Sequence, residues 1–315
     1  MPYLTSSPRL DVVMLILAIT SISMIVNVIV LNAEGAGAEA RSAVRDTANS
    51  DGRHGARGTV FGGVGQTAGF ANHDWCEANY VVTPWCAEFW NTATSCVLLC
   101  VAVFAWAAHR SLQLEARFTC AFVGFGAVGA GSVFFHATLW HSAQLADELP
   151  MLWVSAAHTY IIVATEDKPG RRRTSLAAAL FTGTVLVSLL PVFYPQRQDL
   201  FLLAFGVATL VNIFLSTSLH SRISDSAARR LYELGLLSYV VGVVLWLVER
   251  THCHQPLVQR LQLHAWWHLC SALGWLYICT FWIYLRCDVR RLRPFVGGRL
   301  PLESVRAGVA VAKAM

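Results

Sequence analysis

Charged residues are scarce in this sequence of 315 residues. Lysine, arginine, aspartate and glutamate together make up 14% of the chain, whereas hydrophobic residues make up 55%. A soluble globular protein usually carries about 25% charged residues. So much apolar surface cannot be hidden in the core of one soluble domain of this length. The composition therefore argues against an ordinary soluble protein and indicates a membrane protein.

A strong excess of positive charge is also missing. The chain has 24 basic and 19 acidic side chains and a net charge of +5. The basic residues sit in short clusters between apolar runs, a pattern that is typical of the cytosolic loops of a membrane protein. We therefore expect the bilayer, and no nucleic acid, as a partner, and the sequence indicates no protein partner.

Eight apolar runs are each long enough to cross a bilayer as a helix, which takes about 20 residues. Backbone groups in lipid must bond to one another, and the alternating pattern of a β-barrel strand is absent, so the runs predict helices. The runs are Val12–Leu31, Cys86–Ala107, Phe118–Leu139, Gln144–Thr165, Ser175–Tyr194, Leu200–Leu219, Leu231–Val248 and Ala265–Leu285. We predict an all-α membrane protein, a bundle of seven transmembrane helices plus one extra N-terminal hydrophobic helix.

The first run precedes a polar interval, residues 33–72, that contains nine glycines and has no helical period. This composition predicts a flexible linker. The first run is longer than the apolar region of about 7–15 residues in a signal peptide, which favours a retained signal anchor. Ala38-Glu39-Ala40 resembles a cleavage site, so a cleaved signal peptide is the alternative. The predicted organisation is an anchor or signal peptide in 1–32, the linker in 33–72, a seven-helix domain in 73–290 and a cytosolic tail in 291–315.

Basic residues occupy alternate connections of the seven-helix domain. They are Lys168, Arg171, Arg172 and Arg173, then Arg222, Arg229 and Arg230, and finally Arg286, Arg290, Arg291 and Arg293. Lysine and arginine are enriched on the cytosolic side of membrane proteins. The start of the domain is therefore predicted to face the lumen or the outside, and its C-terminus the cytosol.

Histidines stand near the ends of two of the predicted spans. Ser132 and His136 are four residues apart and share a helix face, as do His264 and His268. Both pairs lie toward the non-cytosolic end, so the three histidines can meet if the two helices pack together. Three histidines leave one tetrahedral position of a zinc ion open for water, as in catalytic sites. The zincin protease motif is excluded because its glutamate is missing, and a hydrogen-bonded or interfacial histidine is the alternative for each position.

Acidic residues form two further candidate groups. Asp147 and Glu148 begin the third core run, where they point to different helix faces, and an interfacial charge pair is the alternative. Asp74, Glu77, Asn79 and Glu88 surround the start of the first core run. Hard oxygen ligands at such spacing suit calcium, although the glycine of an EF-hand loop is missing. A solvated loop with a helix cap is the alternative for this second group.

Cys76 and Cys253 fall in predicted loops on the same, oxidising side of the membrane. A disulfide can form between them there, and two unpaired thiols are equally compatible with the sequence.

Four segments in order resemble the alkaline ceramidases, seven-span membrane hydrolases in the same wider group as adiponectin-receptor-like proteins. The segments are DWCEANY with AEFWNT (Asp74–Tyr80 and Ala87–Thr92), GSVFFHATL (Gly131–Leu139), QLADELPMLW (Gln144–Trp153) and HAWWHL (His264–Leu269). The resemblance covers about residues 72–290. The N-terminal run and the linker lie outside it.

The resemblance implies a role for each matching position. His136, His264 and His268 would bind a catalytic zinc ion, and Ser132 and Asp147 would line that site. Asp74, Trp75 (through its backbone carbonyl), Glu77, Asn79 and Glu88 would bind a structural or regulatory calcium ion. Cys76 and Cys253 would form a lumenal disulfide. The family's usual location implies the endoplasmic reticulum or the Golgi.

The resemblance implies hydrolysis of the N-acyl amide bond of ceramide, phytoceramide or dihydroceramide to a sphingoid base and a free fatty acid. Asp147 is the candidate for transferring the proton of a zinc-activated water. Ser132 would either hydrogen-bond the developing oxyanion or orient the water. The alternative is an adiponectin-receptor-like membrane receptor with weak or no hydrolase activity. A transporter or channel with a structural zinc is disfavoured because inverted repeats and broken helices are not evident.

Overall fold

The computed structural model describes residues 71, 73–194, 197–297 and 303–307. The predicted N-terminal helix, nearly all of the predicted linker and the last residues of the chain lie outside this part.

Seven long α-helices and one short α-helix make up most of the described part. They are α1 (Phe89–His109), α2 (Ala116–Thr138), α3 (His141–Val163), α4 (Thr174–Phe193), α5 (Gln198–His220), α6 (Ser226–His252), the six-residue α7 (Pro256–Leu261) and α8 (Leu263–Val289). A long helix overlaps each of the seven predicted core runs. Six of the helices are long and apolar enough to cross a membrane. The chain is thus a helical integral membrane protein. The seventh long helix, α3, is not among the six, and it carries Asp147, Glu148 and several other polar side chains.

Helices α5, α6 and α8 extend beyond both ends of the apolar runs that predicted them, most clearly α6. This helix begins after Asp225, whose side chain accepts a hydrogen bond of 2.8 Å from the backbone N–H of Ala228 and so caps the first turn. It also runs on to His252, although we expected a loop to begin at Glu249. The expectation was wrong because an apolar run marks the part of a helix in lipid, whereas polar turns continue the helix into water.

The C-terminal helix α8 is the centre of the bundle. It packs against α6 on one side and α1 on another, while α2 packs between α1 and α3, and α3 also contacts α4 and α5. Close approach of α6 and α8 depends on Gly235 and Gly274, because a Cβ atom at Gly274 would lie 3.0 Å from the carbonyl oxygen of Gly235.

A buried arginine joins three elements at the end of the bundle opposite the histidines. Arg286 of α8 donates to the Glu115 carboxylate, just before α2, and to the backbone carbonyls of Thr165 and Asp167, just after α3. Asp167 in turn pairs with Arg173, at a nitrogen–oxygen distance of 2.6 Å. We call this end the arginine end and the opposite one the histidine end.

The chain after α8 forms a small antiparallel sheet of two strands, β1 (Pro294–Gly297) and β2 (Ser304–Ala307). We had predicted only a tail here. The sheet docks on the arginine end, where the backbone N–H of Val305 donates to Nε2 of His109 at 3.1 Å. Val305 is buried in this contact.

Candidate functional site

Three histidines from two helices meet at the histidine end of the bundle. His136 belongs to the last turns of α2, and His264 and His268 belong to the first turns of α8. One nitrogen of each ring lies within 4.8 Å of the corresponding atoms of the other two. All three side chains are buried. The helical spacing and the packing of α2 near α8 therefore create a compact set of three nitrogen donors.

Glu88 determines which nitrogen of His136 is free. Its Oε2 atom lies 2.5 Å from Nδ1 of His136, and both side chains are buried. When Glu88 is ionised, its carboxylate only accepts hydrogen bonds, and Nδ1 of His136 then carries the proton. Nε2 of His136 is buried and has no hydrogen-bond partner in the part of the chain that the structure describes. Its lone pair is therefore available to a metal ion.

Two hydroxyl groups of α1 orient His268 in a similar way. Nδ1 of His268 lies 3.0 Å from Oγ1 of Thr94 and 3.3 Å from Oγ of Ser95. Thr94 donates its own proton to the carbonyl of Trp90 at 2.9 Å, and Ser95 donates its proton to the carbonyl of Asn91 at 2.7 Å. Both hydroxyl groups must then accept from the imidazole, so Nδ1 of His268 carries the proton and Nε2 is the free nitrogen.

His264 is held by its backbone and by stacking of its ring. Its backbone N–H donates to Oε2 of Glu249 at 2.6 Å, and its ring stacks on Trp75 with 3.5 Å between the ring centroids. Nδ1 of His264 is buried without a hydrogen-bond partner among the described residues. Buried polar atoms are rarely left unpaired, so the unpartnered nitrogens of His136 and His264 fit a bound cation. Three neutral imidazoles are a donor set that suits zinc.

Ser132 and Asp147 lie at the cavity beside the three histidines. The Oγ atom of Ser132 is 2.9 Å from Oγ of Ser95. Ser95 already donates its proton to the carbonyl of Asn91. Ser132 is therefore the donor in the contact between the two serines, and the lone pairs of the Ser132 oxygen remain available to accept a hydrogen bond. Asp147 lines the same cavity. It is brought there by the contact of α2 with α3, in which a Cβ atom at Gly131 would lie 2.7 Å from the backbone nitrogen of Asp147.

The cavity has a volume of about 210 Å³ and extends from His264 and His268 into the bundle. Much of its wall is apolar, with aromatic and aliphatic side chains from most of the long helices. Examples are Phe125, Val128, Leu202, Phe205, Val243 and Trp246. A cavity of this kind suits an apolar chain with one polar group near the histidines.

The predicted calcium ligands gather at the start of α1. The Nδ2 atom of Asn79 donates to both carboxylate oxygens of Asp74 at 3.0 and 3.1 Å. Oε1 of Glu88 accepts from the backbone N–H of Trp75 at 3.0 Å. Glu77 accepts from the backbone N–H groups of the first turn of α1, so its carboxylate also serves as a helix cap. The group is less compact than the histidine set, which is the one tight cluster of ligand side chains found among the described residues.

Two observations at this acidic cluster fit a bound cation. The Oδ1 atom of Asn79 is buried and has no hydrogen-bond partner in the described part of the chain. The pKa of Asp74 is raised to about 6, mainly because the carboxyl group is partly buried; the hydrogen bond from Asn79 lowers this pKa, and the nearby Glu88 raises it. Carboxylates and an unpaired amide oxygen that crowd together are the ligands that calcium prefers.

A disulfide joins Cys76 to Cys253, with 5.3 Å between their Cα atoms. It ties the segment before α1 to the end of α6. Glu249, which the sequence analysis did not assign to the site, strengthens the same junction. Its buried carboxylate accepts from the backbone N–H groups of Cys76 at 3.2 Å and of His264.

Thr94 and Ser95 were likewise not predicted as part of the site. Hydroxyl groups in an apolar helix usually bond to the preceding turn, and nothing in their spacing singles them out. Glu249 could have been found, because an acidic residue at the end of an apolar run is costly and marks a function or a partner.

Comparisons with known proteins identify the family of this chain. The ceramidase family model matches residues 68–294, which include all the candidate metal ligands. Alkaline ceramidase YPC1 of Saccharomyces cerevisiae is 32% identical over 228 residues, which cover 64% of this chain and 72% of the relative. Alkaline ceramidase 3 of Mus musculus is 30% identical over 241 residues, which cover 71% of this chain and 86% of the relative. The match spans well over half of the sequence, and the chain therefore belongs to the ceramidase family.

Proposed function

We propose that this chain is a zinc-dependent ceramidase that acts inside the membrane. It would hydrolyse the N-acyl amide bond of ceramide, phytoceramide or dihydroceramide and release a sphingoid base and a free fatty acid. The observation that carries the proposal is the meeting of His136, His264 and His268 at one end of a largely apolar cavity in a helical membrane protein. The relatives are named alkaline ceramidases, which agrees with this chemistry.

The three histidines would hold the zinc ion. When bound, zinc acts as a Lewis acid and lowers the pKa of a water ligand from about 15.7 to about 7. Glu88 would fix the ring of His136, and Thr94 and Ser95 would fix the ring of His268. Such partners of metal ligands determine the tautomer and increase the affinity for the metal.

Asp147 would transfer the proton during the reaction, and Ser132 would orient the attacking water. Asp147 takes a proton from the attacking water and passes it to the nitrogen of the amide as the carbon–nitrogen bond breaks. Ser132 directs its own proton to Ser95, so it accepts a hydrogen bond from the water and orients it. This arrangement favours the second of the two roles that the sequence analysis allowed for Ser132. Donation to the oxyanion would first require the bond to Ser95 to break.

Calcium would play a structural or regulatory part at Asp74, Trp75, Glu77, Asn79 and Glu88. Glu88 belongs to this group and also holds His136. An ion there would offset the repulsion between neighbouring carboxylates and fix the segment before α1. Calcium would therefore act on hydrolysis through the position of Glu88.

The histidine end is proposed to face the lumen of the endoplasmic reticulum or the Golgi, and the arginine end the cytosol. The basic connections after α3 and α5 support this orientation. The disulfide at the histidine end supports it too, because disulfides persist in oxidising compartments. A glycosylation acceptor introduced into residues 33–72 should be modified in cells, and an acceptor introduced beside Arg222 should not.

The experiment that tests the function is an assay of the purified full chain, kept in detergent with zinc. Ceramide should yield sphingoid base and fatty acid in equal amounts. Asp147→Asn should lower the rate by about 100-fold or more, because general acid–base catalysis contributes 10²–10⁴. Arg222→Gln, a change in an exposed pair with Glu166, should leave it unchanged. A zinc-loaded wild-type protein that releases no product would contradict the proposal.

A further inference from the structure

A second polar cluster lines the cavity near the histidine end. It consists of Glu148 on α3, Gln198 at the start of α5 and Arg250 near the end of α6. Glu148 is 7% exposed, and its Oε1 atom accepts hydrogen bonds from Gln198 at 3.0 Å and from Gln144 at 2.9 Å. The proposed mechanism uses none of these side chains.

Arg250 has donor groups that the described residues do not satisfy. Its Nε and Nη1 atoms are buried, and neither has a hydrogen-bond partner within the described part of the chain. Its guanidinium lies over the ring of Trp246, 5.4 Å from the centroid. Glu148 attracts it electrostatically, but the two side chains form no ion pair within 4.0 Å. A buried donor without an acceptor is costly, so a ligand with an acceptor group would stabilise this arrangement.

Three neighbouring aromatic rings, those of Trp246, Trp75 and His264, connect this cluster to the candidate metal site. Trp246, beneath Arg250, lies 6.1 Å from Trp75 between ring centroids, and Trp75 stacks on His264. Glu148 also follows Asp147 directly in α3, on a different face of the helix. The cluster therefore lies beside the place where the amide bond would be cut, and it faces the same cavity.

We propose that Glu148, Gln198 and Arg250 form a head-group subsite that binds hydroxyl groups on the sphingoid part of the substrate. This inference rests on the proposed function. The amide nitrogen of a ceramide is flanked by a primary and a secondary hydroxyl group. A hydroxyl group can donate to the carboxylate of Glu148, which only accepts when it is ionised, and can accept from Arg250, which only donates. Gln198 holds Glu148 in place. The subsite would discriminate against N-acyl lipids whose head group lacks these hydroxyl groups, because their binding would leave its buried polar atoms unpaired.

The test compares kcat/KM of the full chain for N-acyl sphinganine and for its 1-deoxy and 3-deoxy analogues in the same detergent micelles. The wild-type protein should prefer the parent lipid over at least one analogue by roughly ten- to hundredfold, the range expected for a hydrogen bond to a charged group. In Glu148→Gln and Arg250→Gln the preference should fall to nearly one, mainly through slower cleavage of the parent lipid. Arg222→Gln is the matched control and should keep the preference.

The outcomes separate this inference from the proposed function. Variants that lose activity equally on all three lipids would show a packing role and overturn the subsite. A wild-type protein that cleaves all three lipids equally well would overturn it too, while leaving ceramide hydrolysis intact. A wild-type protein that cleaves none of them would overturn both the function and the subsite.

Discussion

Glu88 and His136 share a buried hydrogen bond of 2.5 Å between Oε2 and Nδ1. The other oxygen of Glu88 accepts from the backbone N–H of Trp75, in the segment that holds the proposed calcium ligands. One carboxylate therefore contacts both candidate metal sites. A change in the conformation of the acidic segment can therefore alter the position of His136 through the side chain of Glu88.

Replacing Glu88 should weaken zinc binding without removing a zinc ligand. Glu88→Gln keeps the size of the side chain but loses the charge that holds the Nδ1 proton of His136. Loss of such a partner typically costs 10–100-fold in metal affinity, and competition with a chelator measures it. Asn91→Ala is a suitable comparison, because Asn91 contacts Glu88 and not His136, and it should cost less. Unchanged zinc affinity in Glu88→Gln would contradict this part of the account.

Gly131 should tolerate no side chain, because the backbones of α2 and α3 touch there. A Cβ atom at this position would lie 2.0 Å from the carbonyl oxygen of Ala146. We expect Gly131→Ala to push α3 away and to lower both the melting temperature and the rate of ceramide hydrolysis, the rate by about tenfold or more, since misplacement by about 1 Å can cost 10²-fold.

Gly183 of α4 provides the matched control for Gly131. An added Cβ atom at Gly183 meets nothing within 4 Å. Gly183→Ala should leave the rate unchanged and, because alanine favours helices, should not lower the melting temperature. Equal effects of the two substitutions would show that the contact between α2 and α3 does not position Asp147.

The disulfide should contribute to stability by restricting the unfolded chain. Cys76 and Cys253 are 177 positions apart in the sequence, and the loop-entropy model gives an upper limit of about 5 kcal/mol for a loop of this length. Cys76→Ser should lower the melting temperature in detergent, and a reducing agent should then have little further effect. Cys96→Ser, which removes an exposed free thiol, should have no effect. An unchanged melting temperature in Cys76→Ser would contradict the prediction.

A substitution at the proposed calcium site should abolish the response to calcium without removing zinc. Asp74→Asn takes one carboxylate away from the acidic cluster but leaves the three histidines intact. We expect calcium to raise the melting temperature and the activity of the wild-type protein and to have little effect on this variant, whose zinc content should be retained. Asp199→Asn, at a surface pair with Arg197, should respond like the wild-type protein. A full calcium response in Asp74→Asn would place the ion elsewhere.

The sequence predicted the helical membrane fold because burial in lipid requires long apolar runs with internal hydrogen bonds. It did not predict the ends of α6, which depend on a cap at Asp225 and on polar turns outside the run. Helix α3 resembles a span only weakly, because the acidic residues Asp147 and Glu148 that face the cavity lower its hydropathy. The apolar run Gln144–Thr165 nevertheless predicted this helix, which spans His141–Val163 in the structure.

Spacing along each helix predicted that His264 and His268 share a face and that His136 can meet them if the two helices pack together. The structure brings the three rings together. Spacing alone could not identify Thr94 and Ser95, because their contact with His268 depends on how α1 packs against α8. The same packing decides that Ser132 donates to Ser95. The roles of Thr94, Ser95 and Ser132 depend on hydrogen bonds between helices. The geometry of these hydrogen bonds cannot be derived from the spacing of residues in a single sequence.

The most direct test of the central claim measures zinc content and ceramide hydrolysis in the same preparations. We predict about one zinc ion per chain for the wild-type protein, as expected for a single site with three ligands. The double variant His264→Ala, His268→Ala should lose both the zinc and the release of sphingoid base, and circular dichroism should show that it remains helical. A helical variant that lacks zinc but still releases sphingoid base at the wild-type rate would contradict a catalytic role for the three histidines.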